Sequence, residues 1–144
     1  MEIKKSYHCV YNIHYHFVFP VKYRKALLDK EIGKYFVEIC REIEKRYQIE
    51  FDRIGIDKDH IHILCGAVPR YSPSKIITII KSIGAREIFK KFPKIKKDLW
   101  GGEFWTDGYY VSTIGEGANK EVIEKYIERQ GKTSEEVQLK IFEM

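Results

Sequence analysis

Hydrophobic periodicity constrains this chain more than any other feature, because it changes in a fixed order. Between Val10 and Val21 apolar and polar positions alternate, with Ile13, Tyr15, Phe17 and Phe19 set against His14, His16 and Val18. That is the period of a strand buried on one face. After Asp29, a candidate N-cap, the spacing becomes helical through Ile32, Tyr35, Phe36, Ile39, Cys40, Ile43 and Tyr47. A second strand is predicted over Ile49 to Ile56 and a third over His60 to Val68, joined by the turn Asp57-Lys58-Asp59. Ser72-Pro73 opens another helix, whose inner face is Ile76, Ile80, Ile83 and Ile88, and Pro93 stops it. Gly101-Gly102 leads into a fourth strand near Gly108 to Ile114, broken by Gly115 and Gly117. Asn119 is placed to cap a last helix from Lys120 to Gln130, and Gly131 to Met144 adds at most a short helix.

The order β-α-β-β-α-β-α specifies an α+β fold. The expectation is a ferredoxin-like (RRM-like) βαββαβ sandwich with an additional C-terminal helix, in one domain spanning residues 1–144. In that pattern the first and third strands lie side by side at the centre of the sheet. Alternation then turns Ile61, Ile63 and Cys65 toward the helices, and His60, His62 and Leu64 to the opposite face with His14 and His16.

Composition narrows the function classes. The 144 residues are 44% hydrophobic and 33% charged, the profile of a globular domain, and no apolar run is long enough to span a bilayer. With no signal-length apolar core near Met1, the expected location is the cytoplasm. Cys9, Cys40 and Cys65 are widely spaced and odd in number, which argues against a disulfide framework or a zinc knuckle. The net charge is +5, but Arg70 to Lys97 holds nine Lys or Arg and a single acid, Glu87. Lys22, Arg24 and Lys25 form a second basic cluster. Such segments suit a phosphate backbone, although charge alone does not separate that partner from a solvated lysine face.

Two short patterns bear on chemistry. In Asp59-His60-Ile61-His62 the histidines sit two apart on a strand, so both imidazoles share one face about 7 Å apart and can converge on a metal ion. In Tyr126-Ile127-Glu128-Arg129-Gln130 a phenol and an amide lie four apart on one face of a helix. Each pattern alone also describes ordinary half-buried side chains. Gly131-Lys132-Thr133 has the ending of a phosphate-binding loop, but Tyr126 stands where the first glycine is required, so no nucleotide cofactor is expected.

Together the patterns carry a resemblance. His60-Ile61-His62 is similar to the histidine-hydrophobe-histidine motif of the HUH endonucleases. The chain from Tyr11 to Gln130 resembles the single-tyrosine transposases of the IS200/IS605 insertion-sequence family. Four blocks support it in order: Lys22-Tyr23-Arg24-Lys25; Asp59 to Leu64; Leu99-Trp100-Gly101-Gly102 with Trp105 and Gly108-Tyr109-Tyr110; and Tyr126 to Gln130. The resemblance implies Tyr126 as nucleophile, His60, His62 and Gln130 as ligands of Mg²⁺ or Mn²⁺, and cleavage and strand transfer of single-stranded DNA through a 5′-phosphotyrosine. It also implies recognition of hairpin ends and a homodimer joined through Tyr109 to Ile114, with active sites shared between subunits. Asp57 and Asp59 are close enough to orient the histidines. Lys22 and Arg24, with Lys75, Lys81 and Arg86 in the basic segment, are candidates for DNA contacts. Trp100, Phe104, Trp105, Tyr109 and Tyr110 offer rings to unpaired bases or to the core. The alternatives are a non-catalytic RRM-like nucleic-acid-binding module, a metal-dependent hydrolase that needs no tyrosine, and a domesticated relative of the transposase.

Overall fold

A computed structural model describes residues 3–99 and 101–115. The expected C-terminal helix with Tyr126 and Gln130, the tail after it, Gly117, Asn119 and Trp100 lie outside the described residues.

Strands β1 (Lys4–Ser6) and β2 (Cys9–Tyr11) pair antiparallel as a small hairpin, with His8 in the left-handed region at φ 69°. Strand β3 (His14–Pro20) follows. The single strand expected over Val10 to Val21 is therefore two. Residues 9–11 pair with the N-terminal strand, and the chain breaks at Asn12, whose side-chain oxygen lies 2.8 Å from His14 Nε2. Helix α1 (Lys30–Arg46) starts at Asp29, whose carboxylate accepts the Ile32 N–H at 2.8 Å. Strands β4 (Ile49–Ile56) and β5 (His60–Ala67) form the predicted hairpin. Helix α2 (Pro73–Lys91) is capped by the Ser72 hydroxyl on the Lys75 N–H and ends before Pro93. Short 3₁₀ turns cover Lys22–Arg24 and Pro93–Asp98, and β6 (Tyr110–Thr113) completes the described elements.

Four strands form one antiparallel sheet in the order β4-β5-β3-β6. The first and third strands of the predicted pattern, β3 and β5, are its centre. Both helices cover one face, where Phe17, Phe19, Ile61, Ile63 and Cys65 pack with Phe36, Ile39, Cys40, Ile43, Ile76 and Ile80. The buried stripe of α2 runs through Ile76, Ile80, Gly84 and Ile88, and Ile83 stands beside it half-buried. Gly84 takes the expected place of Ile83 because a Cβ there would come 3.1 Å from the Phe36 ring. The fourfold spacing thus passes through a glycine that lets α1 approach. Among the described residues no helix is long and apolar enough to cross a membrane.

Candidate active site

The hairpin between β4 and β5 fixes the first histidine. Its turn closes through the Asp57 N–H to the His60 carbonyl (2.9 Å). It is tied down by the Leu28 N–H to the Lys58 carbonyl (2.9 Å) and the Val21 N–H to the Asp59 carbonyl (2.8 Å). His60, buried at the start of β5, lies with Nδ1 2.9 Å from Asp59 Oδ1 and Nε2 3.1 Å from Asp57 Oδ2. The other Asp59 oxygen accepts Arg24 Nε and Nη2, each at 3.1 Å. Burial opposes ionisation of Asp59, yet the His60 hydrogen bond and the Arg24 guanidinium together hold its carboxyl below the usual range. The result is an Arg24–Asp59–His60 relay that orients the ring through Nδ1 and leaves Nε2 toward Asp57. Carboxylates commonly orient metal-binding histidines in this way.

The second histidine is positioned by a glycine. His62 pairs with Gly55 across β5 and β4, and its ring lies directly over that residue. A Cβ at Gly55 would sit 1.8 Å from His62 Nε2 and 2.1 Å from Cε1. Any side chain there would displace the imidazole. His16, opposite Leu64 on β3, meets the His62 ring edge-on, with centroids 6.2 Å apart and planes at 87°. It also approaches Tyr110 at 6.4 Å. Burial, and then the nearness of His62, push the His16 pKa down to about 4. His16 is therefore a neutral partner at neutral pH, and adds no positive charge beneath a ring that could ligate a cation.

His14 shares this sheet face at the far end of β3, paired with Gly66. Its nitrogens face Asp52 Oδ2 (3.0 Å) and Asn12 Oδ1 (2.8 Å). Asp52 falls at the register shift of β4, which turns its carboxylate to His14.

The donors suit a divalent cation in kind: two imidazoles on one strand face, one carboxylate-oriented through Nδ1, with Asp57 beside its Nε2. They fall short in number, since among the described residues no group of three or more His, Cys, Asp or Glu side chains is gathered to hold a metal. A cation held here would need a further ligand, and Gln130, like Tyr126, lies outside the described residues.

The basic candidates are already engaged. Lys22 Nζ lies 2.8 Å from Glu103, and Arg24 holds Asp59. Lys75 lies over the Tyr71 ring at 4.8 Å, and Arg86 Nε is 3.3 Å from Glu87 on the outer side of α2. Lys81 donates to the carbonyls of Thr106 (2.6 Å), Gly108 (3.3 Å) and Asp107 (3.5 Å), while its own carbonyl accepts the Trp105 indole N–H at 3.0 Å. Burial lowers its pKa, partly offset by Asp107 and Glu103. Of the aromatic cluster, Phe104 and Trp105 are buried in the core, and Tyr109 and Tyr110 are half-buried.

Sequence reasoning missed Gly55, the Arg24–Asp59 fork and the service of His16 under His62. Gly55 left a legible signal, since glycine inside a strand marks close approach by another group.

The family described as "Transposase IS200 like" matches residues 9–130. The ISDra2 transposase TnpA of Deinococcus radiodurans is 33% identical over 130 residues, covering 90% of this chain and 92% of the relative. The transposase for insertion sequence element IS200 of Salmonella typhimurium is 30% identical over 127 residues, covering 88% and 82%. The crystal structure of a transposase from Deinococcus radiodurans R1 superposes with a TM-score of 0.72 at 32% identity, covering 88% of this chain and 97% of that one. A REP-associated tyrosine transposase bound to a REP hairpin shares the fold at a TM-score of 0.53 and 12% identity, over 87% and 68% of the two chains.

Proposed function

The chain belongs to the IS200-like transposase family, and from that premise we propose that it cuts and rejoins single-stranded DNA with Tyr126 as nucleophile. The observation that carries this reading is the seating of His62 over Gly55 beside the carboxylate-oriented His60. Both imidazoles stand on one strand face, one aligned by a carboxylate and the other seated over a glycine, the arrangement that a shared ligand would need. In this reading the sheet is ferredoxin-like, with the tyrosine on an added C-terminal helix.

His60, His62 and Gln130 would hold Mg²⁺ or Mn²⁺, with nitrogen donors favouring Mn²⁺. When bound, such a cation neutralises phosphoryl oxygens and orients a phosphodiester for in-line displacement. The Tyr126 phenol loses its proton as its oxygen bonds to phosphorus, the bond from phosphorus to the 3′-oxygen breaks, and that oxygen leaves as a 3′-OH. The 5′-phosphotyrosine keeps the bond energy, so a second 3′-OH can attack it, expel the phenol and restore a phosphodiester without ATP. Neutral His16 keeps a competing positive charge away from His62. DNA with hairpin ends is the proposed substrate, and a homodimer joined along Tyr109 to Ile114 the proposed assembly. Strand β6 lies at the edge of the sheet among the described residues, as that assembly requires.

The test is a denaturing gel of purified protein with Mn²⁺ and labelled single-stranded DNA from the ends of the surrounding element. A slower, protease-sensitive band that vanishes in Tyr126→Phe and with EDTA is the expected result. Cleavage surviving in Tyr126→Phe would replace the reading with a hydrolase, and binding without cleavage or adduct with a plain binding module.

A further inference from the structure

The loop after β3 is built in an unusual way. Tyr23 (φ 58°, ψ 17°) and Arg24 (φ 51°) are consecutive non-glycine residues in the left-handed region, where a Cβ is disfavoured. The surroundings force this conformation. The Lys22 N–H bonds to the Phe104 carbonyl (2.9 Å), the Arg24 N–H to the Val21 carbonyl (2.8 Å), and the side chains of Lys22 and Arg24 are clamped by Glu103 and Asp59. The Lys22 ammonium lies over the Tyr23 ring at 5.8 Å from its centroid, and the ring is still left 58% exposed. Outside the N-terminal hairpin region no other large hydrophobic side chain is so exposed among the described residues.

Tyr23 borders an open recess of about 590 Å³, lined also by Pro20, Lys22, Arg24, Thr106 and Asp107. The recess adjoins the histidine site. Pro20 is the cross-strand partner of His60, and Arg24 grips the carboxylate that orients that same ring.

Resting on the reading of the chain as an enzyme of single-stranded DNA, we propose that this recess receives one unpaired nucleobase of the substrate, stacked on the Tyr23 ring, and so positions the adjoining phosphate at the histidine pair. The occupant is a base rather than a phosphate. Lys22 and Arg24 are each matched by an acid, and Asp107 adds a further negative charge, so an anion gains little there. An exposed aromatic face held rigidly by its neighbours is the feature that unpaired bases bind. The strained loop holds Tyr23 at the lining of the recess.

The experiment uses the full chain and a fluorescein-labelled single strand from the element end, read by anisotropy, with 2-aminopurine scanned through the positions beside the cleavage site. Tyr23→Phe keeps the ring and is expected to bind as the parent does. Tyr23→Gly removes the ring and accepts the left-handed backbone freely, so it is expected to lose roughly tenfold or more in affinity. Its thermal stability should hold or rise, and quenching of 2-aminopurine at one position should disappear. The salt dependence of binding should not change, since no charge is lost. Equal affinity of Tyr23→Gly and parent, or an equal loss in Tyr23→Phe, overturns the proposal. The tyrosine-adduct gel separates the two readings. If the parent forms the adduct and Tyr23→Gly binds and reacts unchanged, only the recess is refuted. If the parent neither binds single strands nor forms the adduct, the proposed function falls and the recess with it.

Discussion

Replacing Gly55 with alanine would put a methyl carbon 1.8 Å from His62 Nε2, where the ring now rests. The methyl cannot move, because β4 is paired to β5 through this residue, so the imidazole must. To regain ordinary contact at 3.4 Å the ring retreats by roughly 1.6 Å. Two terms set the effect on stability. Alanine in place of glycine inside a strand gains about 0.5–1 kcal/mol. Pushing His62 off its preferred rotamer costs about 0.5–1.5 kcal/mol. The sum lies within about 1 kcal/mol of zero, so the variant folds. Function responds on another scale. Misplacing a reacting or ligating group by about 1 Å typically costs about a hundredfold in rate. Gly55→Ala should therefore resemble His62→Ala in the Mn²⁺-dependent adduct assay and in Mn²⁺ affinity by calorimetry, yet resemble the parent in urea unfolding. Parent-like adduct formation and Mn²⁺ binding would refute the claim that Gly55 seats a functional His62. A loss of several kcal/mol in stability would refute the claim that the ring, rather than the backbone, gives way.

Two further outcomes follow from buried groups. His16 has its pKa pushed down to about 4 in the fold, against an ordinary value near 6.5 in the unfolded chain, so as pH falls the unfolded chain takes up the proton first. Stability should decline from about pH 6.5 to about pH 4 by at most about 3 kcal/mol, and His16→Leu should flatten that part of a urea-unfolding profile recorded without metal; an unchanged slope would count against the account. Lys81→Met keeps the stem but strips three carbonyls of their ammonium donor, and should cost about 1–3 kcal/mol and speed hydrogen exchange over residues 106–108; a change within about 0.5 kcal/mol would show that water replaces the ammonium without loss.

The fold was legible where burial on one face imposes a period. The strands around Phe17 and Ile63 and the helix through Phe36 and Ile43 announce themselves because each must turn a fixed set of side chains to the same core. The break at Asn12 was not legible, since the pairing of residues 9–11 with the N-terminal strand leaves the alternation intact on both sides. On α2 Ile83 packs against the core half-buried while the fully buried stripe passes through Gly84: a sequence pattern scores apolar side chains, whereas the packing there rewards the absence of one. At the site, the histidine pair was visible as a spacing, and Asp57 and Asp59 as its neighbours in sequence. Arg24 lies 35 residues from Asp59, so that contact leaves no local pattern, and Gly55 signals a close approach without saying that its cross-strand partner His62 makes it.

Charge shows most clearly what the sequence hides. The excess of cations from Arg70 to Lys97 reads as one basic stripe, but the structure distributes it. Lys75, Lys91 and Lys96 lie over the rings of Tyr71, Tyr35 and Phe89 at 4.8, 4.2 and 5.2 Å, Arg70 reaches Gln48, and Lys81 is bound to its loop. Exposed cation–ring contacts are worth only about 0.5–1 kcal/mol, so three of these lysines can leave for a phosphate at little cost, whereas Lys81 cannot. Helix α2 moreover covers the sheet face opposite to His62, because Ile76 and Ile80 pack with Ile61 and Ile63 while His62 alternates away from them. A DNA molecule that touches both the lysines of α2 and the histidine pair must pass around an edge of the sheet. Under the proposed function the two faces would therefore suit different parts of one substrate: the helical face a backbone attracted by charge without regard to sequence, and the histidine face, with the Tyr23 recess at its end, the unpaired strand to be cut.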